Sequence, residues 1–213
     1  MLFNLSRYNI LLVKMEGKFI VFEGIDKSGK ETQAKMLYDY LHKKAIPVIY
    51  TEEPSPKNPA GRLIKKWLVG QATITSGEAI TLLYTADRFE HLKKTITPAL
   101  NAGKNVICDR YFYSTIAYES AIFKVEKEWI KSLHKDVRKP DVVIFIDIDP
   151  EISLKRERSL PNDRLEKVEL LKNVREAYKE MINEERFFVV NGDRSKEEVF
   201  RDVQLVIDRL FGI

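Results

Sequence analysis

Short apolar runs alternate along this chain with longer stretches in which apolar residues recur every third or fourth position, and the two periods assign different elements. Residues 18–23, 47–51, 105–109, 142–147 and 187–190 are rich in Val, Ile and Phe and show little in–out alternation. That pattern predicts strands covered on both faces. Between them the period lengthens. Ala34, Leu37 and Leu41 share one helical face while Lys35, Asp39 and Lys43 lie elsewhere, which predicts a helix opening near Gly29. Near the end, Ser195 and Glu198 have the spacing of a capping box, followed by an apolar stripe of Val199, Val203, Val206 and Leu210. Asp149-Pro150-Glu151 reads as N-cap, first-turn proline and first-turn acid, so a helix follows the fourth strand directly. Strands alternating with crossover helices predict an α/β class: a five-stranded parallel sheet with helices on both faces, three layers in all.

Length and composition narrow this further. At 213 residues, against about 150 per domain, the chain is expected to form a single domain over 15–213, preceded by an N-terminal extension, 1–14. The opening MLFNLSRYNILLVK is interrupted by Arg7 and Asn9 and lacks a small-residue cleavage site, so it does not read as a signal peptide. Hydrophobic residues make up 44% and charged residues 32%, with 9 Gly and 8 Pro, which excludes collagen-like and disordered classes. The formal charge of +4 is spread without a long basic run, so no nucleic-acid partner is expected and any phosphate chemistry must come from individually placed residues. No apolar run reaches the roughly 18 residues of a membrane span, so no membrane is expected either. The single cysteine, Cys108, excludes an intramolecular disulfide and a multi-cysteine zinc cluster, and it points to a reducing, cytoplasmic setting.

The chemistry begins where the first strand runs into Gly24-Ile25-Asp26-Lys27-Ser28-Gly29-Lys30, then Glu31, Thr32 and a helical pattern. This is G-x-x-x-x-G-K between a strand and a helix, the context in which inward-turned backbone N–H groups and a helix N-terminus cradle phosphates. Gly24, Ser28, Gly29, Lys30, Glu31 and Thr32 are therefore candidates for binding ATP, with Lys30 as a point charge between the outer phosphates. The motif usually has Ser or Thr after the lysine, as a ligand to Mg²⁺; here Glu31 stands there and the hydroxyl comes at Thr32. Glu31 either approaches the metal, directly or through water, or turns to solvent as a first-turn acid. Asp109, an acid ending the apolar run NVICD, stands where an open α/β sheet presents its ligand edge and can hold Mg²⁺ through water or orient Arg110.

Four blocks in this order resemble the thymidylate kinases: FEGIDKSGKETQ, LLYTADR, CDRYFYSTIAYE and FIDIDPEISLKR. The resemblance spans about 17–203 and implies a P-loop kinase fold with a helical lid near 155–166. It further implies transfer of the γ-phosphoryl group of ATP to dTMP, an Mg²⁺ cofactor and a homodimer. By the same resemblance Tyr84 stacks on thymine and Arg88 bonds a base oxygen, in keeping with their i, i+4 spacing on one helix face. On residues alone, core packing competes for Tyr84 and a solvated charge for Arg88. Arg110 is implied to grip phosphate, Ser114 to lie near the base and Tyr118 under the deoxyribose. Tyr111, Ser114 and Tyr118 have the spacing of one helical face. Asp26 is implied to accept the 3′-hydroxyl of the acceptor, and Lys27 to reach the transferred group together with lid arginines Arg158 and Arg164. Many relatives read T-R-E-P after the second strand; this chain reads Thr51-Glu52-Glu53-Pro54, losing the arginine and keeping Glu53 as a substrate-binding candidate. NGDRSKEEV resembles an adenine-contacting loop, with Asn191 and Arg194 as candidates, although a plain strand-to-helix connection with a capping box explains it equally.

An acceptor that is already an anionic phosphate needs no deprotonating base, only alignment and charge neutralisation. His42, His91 and His134 fall in helical patterns away from the motifs and read as structural or solvated. Two other readings stay open: a phosphate-loop kinase for another nucleotide or nucleoside, and a nucleotide-binding module of low turnover, for which Glu31 and Glu52 argue.

Overall fold

The computed structural model describes residues 16–156, 165 and 167–213. Five strands, β1 (Phe19–Glu23), β2 (Val48–Glu52), β3 (Asn105–Asp109), β4 (Val142–Asp147) and β5 (Phe187–Asn191), pair in parallel in the order β2-β3-β1-β4-β5. Around them lie α1 (Lys30–Lys43), α2 (Pro59–Leu68), α3 (Gly77–His91), α4 (Thr97–Asn101), α5 (Phe112–Phe123), α6 (Lys127–Leu133), α7 (Pro150–Lys155), α8 (Val168–Glu184) and α9 (Lys196–Phe211). A π turn, Leu92–Ile96, joins α3 to α4.

The five expected strands and the bounding helices are present, and their chemistry explains them. Alternate residues of β1 enter opposite layers: Phe19 and Val21 pack with Trp67, Tyr111 and Phe145, whereas Ile20 and Phe22 pack with Leu37, Leu41 and Val203. Two apolar faces remove the polar half of the usual alternation. The predicted caps form as well. Ser195 accepts from the Glu198 backbone while the Glu198 side chain accepts from the Ser195 backbone, and Asp149 caps α7.

β5 departs from expectation. Phe188 and Val189 are 47% and 52% exposed, because β5 is an edge strand and not a strand covered on both faces. Centrally placed β1 has β3 on one side and β4 on the other, so its carboxyl end opens at the crevice where the connections diverge. Everything chemical described below gathers there. Residues 1–14, and the lid candidates Arg158 and Arg164, lie outside the described residues.

Candidate functional site

The phosphate loop leaves β1 at Gly24, whose φ is +152°; a Cβ there would stand 2.7 Å from the Ser28 hydroxyl and 2.8 Å from the Ile146 carbonyl. Gly29, at φ +96°, turns the chain into α1. Both conformations favour glycine, which is why the motif needs glycine at these two places. Lys30 is buried, and its ammonium lies 3.4 Å from the Ile25 carbonyl. Burial, then the charge of Arg110, pulls its pKa below the usual lysine range, with Asp109, Asp26 and Glu23 opposing. Arg156, at the end of α7, donates to the carbonyls of Lys27, Ser28 and Gly192 at 3.3, 2.9 and 2.6 Å, tying the loop to the segment after β5. These parts line an open cavity, together with Thr32 and Arg194.

At the end of β3, Asp109 is buried and its Oδ1 has no hydrogen-bond partner among the described residues. Burial raises its carboxyl, while Lys30 and Arg110 draw it back. A buried carboxylate oxygen without a donor, beside the phosphate lysine, fits a hydrated divalent cation. Glu31 is turned the other way: it forms an ion pair with Lys35 at 2.5 Å on the exposed side of α1, the solvent-facing alternative. Glu52, which replaces the arginine of the related motif, pairs with Lys65 at 2.6 Å.

A second, smaller cavity opens on the other side of the loop. Its anchor is Arg88, 1% exposed. Nε donates to Glu53 Oε2 at 2.8 Å, Nη2 donates to Thr115 at 3.1 Å and forms an ion pair with the same Glu53 oxygen at 2.7 Å, and Nη1 donates to His134 Nε2 at 2.8 Å. Nη1 carries two N–H groups and is bonded through one of them, so one N–H on Nη1 remains. The ring of Tyr111 lies 5.3 Å from the guanidinium carbon. His134 can accept from Arg88 because its Nδ1 faces the Ile130 carbonyl, 2.8 Å away, and must carry the proton. Burial, then Arg88, pushes its pKa down to about 3, so the imidazole is neutral. Glu53 is held in turn by His91 Nδ1 at 3.1 Å, whose Nε2 meets the Thr51 hydroxyl at 2.7 Å. Asp87 accepts from the Ser55 backbone and the Asn58 amide at 2.7 and 2.9 Å, clamping the segment after β2 onto α3. Asp26 lines both cavities, so the two spaces meet at the phosphate loop.

The thymidylate kinase family model matches residues 22–203, from within β1 to within α9. The chain belongs to the thymidylate kinase family. It is 40% identical over 205 residues to a probable thymidylate kinase of Thermococcus gammatolerans, covering 91% of this chain and 97% of that protein. It is 39% identical over 202 residues to a thymidylate kinase of Halothermothrix orenii (89% and 95%), and 36% identical over 190 residues to that of Plasmodium falciparum (89% of each).

On the family's fold, the site residues expected from sequence fall into two groups. Lys27, Ser28, Gly29, Lys30, Glu31, Thr32 and Arg194 line the larger cavity. Glu53, Tyr84, Arg88, Arg110, Ser114 and Tyr118 line the smaller. Arg110, at φ +67°, reaches Asp26 at 2.5 Å and lies 5.0 Å from the Tyr118 ring centre, while the Tyr118 hydroxyl donates to Asp26 at 2.8 Å. The Ser114 hydroxyl donates to buried Glu23 at 2.6 Å and accepts from Arg110 at 3.0 Å, so its partners are the site's own scaffold. Asn191 lies apart: its side-chain oxygen accepts from the Asp193 backbone at 2.9 Å, closing its own turn. Arg194 pairs with Asp202 at the cavity rim.

Two expectations need correction. His91 and His134 do not stand away from the motifs; both are buried in the Arg88 network, and only His42 is exposed. Their helical context gave no hint, because the partners come from β2 and α3. Tyr111 does not begin the helical face of Ser114 and Tyr118: it precedes α5 with extended backbone, and its hydroxyl donates to the Arg138 carbonyl at 2.9 Å. Glu23, Asp87 and Thr115 were passed over although each stands inside a quoted block. A strand-terminal acid and an i, i+4 position before Glu119 were the available signals. Among the described residues no helix is long and apolar enough to cross a membrane.

Proposed function

We propose that this chain transfers the γ-phosphoryl group of ATP to the 5′-phosphate of dTMP, giving dTDP and ADP. The observation that carries the reading is the pair of cavities meeting at Asp26, one walled by the phosphate loop and the other anchored by Arg88. Gly24, Ser28, Gly29, Lys30 and Thr32 bind the donor phosphates, with Arg194 on the adenine side. The remaining Nη1 N–H of Arg88 meets a base carbonyl, Tyr84 packs on the ring, and Tyr118 with Asp26 borders the sugar. Arg110 exchanges part of its contact with Asp26 for the acceptor phosphate, for which its forked donors suit it. Lys27, with the lid arginines, faces the group in flight. Asp109 would hold Mg²⁺ through water, and the cation would neutralise charge on the donor phosphates.

The acceptor oxygen is already anionic, so the residues align two polyanions and screen their repulsion; none needs to remove a proton. Neutral His134 and paired His91 are consistent with that, since both act on Arg88 and Glu53. The proposal includes one domain over 15–213, a cytoplasmic setting and a homodimer, for which Leu82 and Phe89, exposed two turns apart on α3, offer an apolar stripe. Light scattering should return the dimer mass.

The test is a coupled assay with ATP, Mg²⁺ and a panel of nucleoside monophosphates. Strong preference for dTMP is expected; preference for another acceptor, or tight ATP binding without product, overturns the reading.

A further inference from the structure

Two polar atoms beneath α1 are buried without a hydrogen-bond partner among the described residues, and they are chemically complementary. One is Asp109 Oδ1, an acceptor at the end of β3; the other is the Tyr50 hydroxyl, which carries a donor, on β2. Their places in the sheet are linked. β2 and β3 run parallel with Tyr50 opposite Ile107 and Glu52 opposite Asp109, so these four side chains leave the same face of the sheet. That face is the one α1 covers: Ile107 packs with Ala34, Leu37 and Leu41, and Tyr50 packs against the same cluster.

The surroundings of the Tyr50 hydroxyl agree with this placement. After burial, the charge that most raises its pKa is that of Asp109, followed by Glu31 and Glu52. Glu31 and Glu52 are engaged by Lys35 and Lys65, and Asp109 is the one of the three acids with a buried oxygen still to be bonded. A hydroxyl and a carboxylate oxygen that share a face would bond directly if they met. Both stay unbonded, so a gap separates them, and leaving two such groups unsatisfied in a protein interior is unfavourable. One water serves both: its oxygen accepts from Tyr50 and one of its hydrogens goes to Asp109. An ionised carboxylate oxygen has two lone-pair sites, so Oδ1 has room for this water and for a water of a hydrated cation. Partners of this kind fix the direction in which a metal-binding carboxylate points.

We propose that Tyr50 is a positioning residue whose hydroxyl, through a buried water, orients the Asp109 carboxylate toward the hydrated cation of the donor nucleotide. Tyr50 lines neither cavity, so it acts through Asp109 and not on a nucleotide. This deepens the function proposed above and rests on Asp109 being the residue that holds Mg²⁺.

Electron paramagnetic resonance of Mn²⁺ titrated into the full chain with ADP tests it, Mn²⁺ standing in for Mg²⁺. Wild type is compared with Tyr50→Phe, which keeps the ring and removes the hydroxyl, with Asp109→Ala, and with the two combined. Tyr50→Phe should weaken Mn²⁺ binding about tenfold, leave the metal-free affinity for ADP in place and leave KM for dTMP unchanged. In the Asp109→Ala background the same substitution should add nothing, because the carboxylate it orients is gone. Wild-type Mn²⁺ affinity in Tyr50→Phe overturns the proposal alone, and so does a loss that adds in full to that of Asp109→Ala. A lower melting temperature together with weaker metal-free ADP binding marks a merely structural hydroxyl and overturns it as well. If Asp109→Ala itself binds Mn²⁺ as wild type does, the assignment of the cation to Asp109 fails first and the proposal with it.

Discussion

The two cavities are built on opposite plans. The cavity proposed for the donor is local at its centre: from Asp26 to Gln33 a single stretch supplies its loop, its helix terminus and its lysine, while Arg156, Gly192, Arg194, Lys196 and Val199 complete its wall and Arg156 ties the loop in place. The cavity proposed for the acceptor is assembled from the connections after β1, β2 and β3 and from α2, α3 and α5, and its anchor Arg88 is positioned by partners 46, 35 and 27 residues away in sequence. A phosphate presents the same charge and geometry whatever it is attached to, so a contiguous loop of backbone N–H groups can serve it. A base must be told from other bases, and that takes side chains fixed in three dimensions by other side chains.

This contrast can be tested by damaging each side in turn. The largest effect belongs to Lys30→Ala, which removes a preorganised charge from the donor side: kcat should fall about 10²- to 10³-fold. An unchanged kcat would show that the loop does not hold the donor. Next comes Arg88→Met on the acceptor side, which leaves Glu53 buried without its partner. It should destabilise the fold by about 3 kcal/mol in denaturant titrations and raise KM for dTMP without raising that for ATP. A joint rise would erase the distinction between the cavities.

The third effect is a pH dependence. Folded Glu119 holds its proton up to about 8, against a usual value of 4.5, so between those values the native state binds a proton that the unfolded chain has lost. Its contribution to stability is full below 4.5 and drains as pH rises through 8, at up to about 1.4 kcal/mol per unit. Thermal melts of the ligand-free protein from pH 5 to 9 should show a downward slope that Glu119→Gln flattens. The smallest is His134→Phe, which deprives one Arg88 N–H of its acceptor: a several-fold rise in KM for dTMP at unchanged kcat, about 1 kcal/mol. Because the imidazole is already neutral, the ratio to wild type should stay constant from pH 5 to 8.

Particular residues show how far the chain could be read in advance. The strands are legible because β1, β3 and β4 bury both faces, whereas β5 differs from its expected burial because FFVVN reads the same at the edge of a sheet as at its centre. Nothing local distinguishes the two. Lys30 and Arg88 were both found, but by different routes: Lys30 from a motif with a mechanism of its own, Arg88 through resemblance joined to helical spacing. The histidines that flank Arg88 and Glu53 stayed hidden because their meaning is relational. His134 caps the end of α6, and only the packing of α6 on α5 and of α5 on α3 brings its ring to the guanidinium.

Linear order was thus enough for the class of fold, the phosphate loop and the family, since each depends on residues adjacent in the chain or on a period of two or 3.6. It could not say that Glu31 turns outward to Lys35, that His134 accepts from Arg88, or that Glu119 Oε2 finds no hydrogen-bond partner among the described residues. Those facts are counts of neighbours in space. They depend on which groups the folded chain has removed from water and which partners it has provided in return.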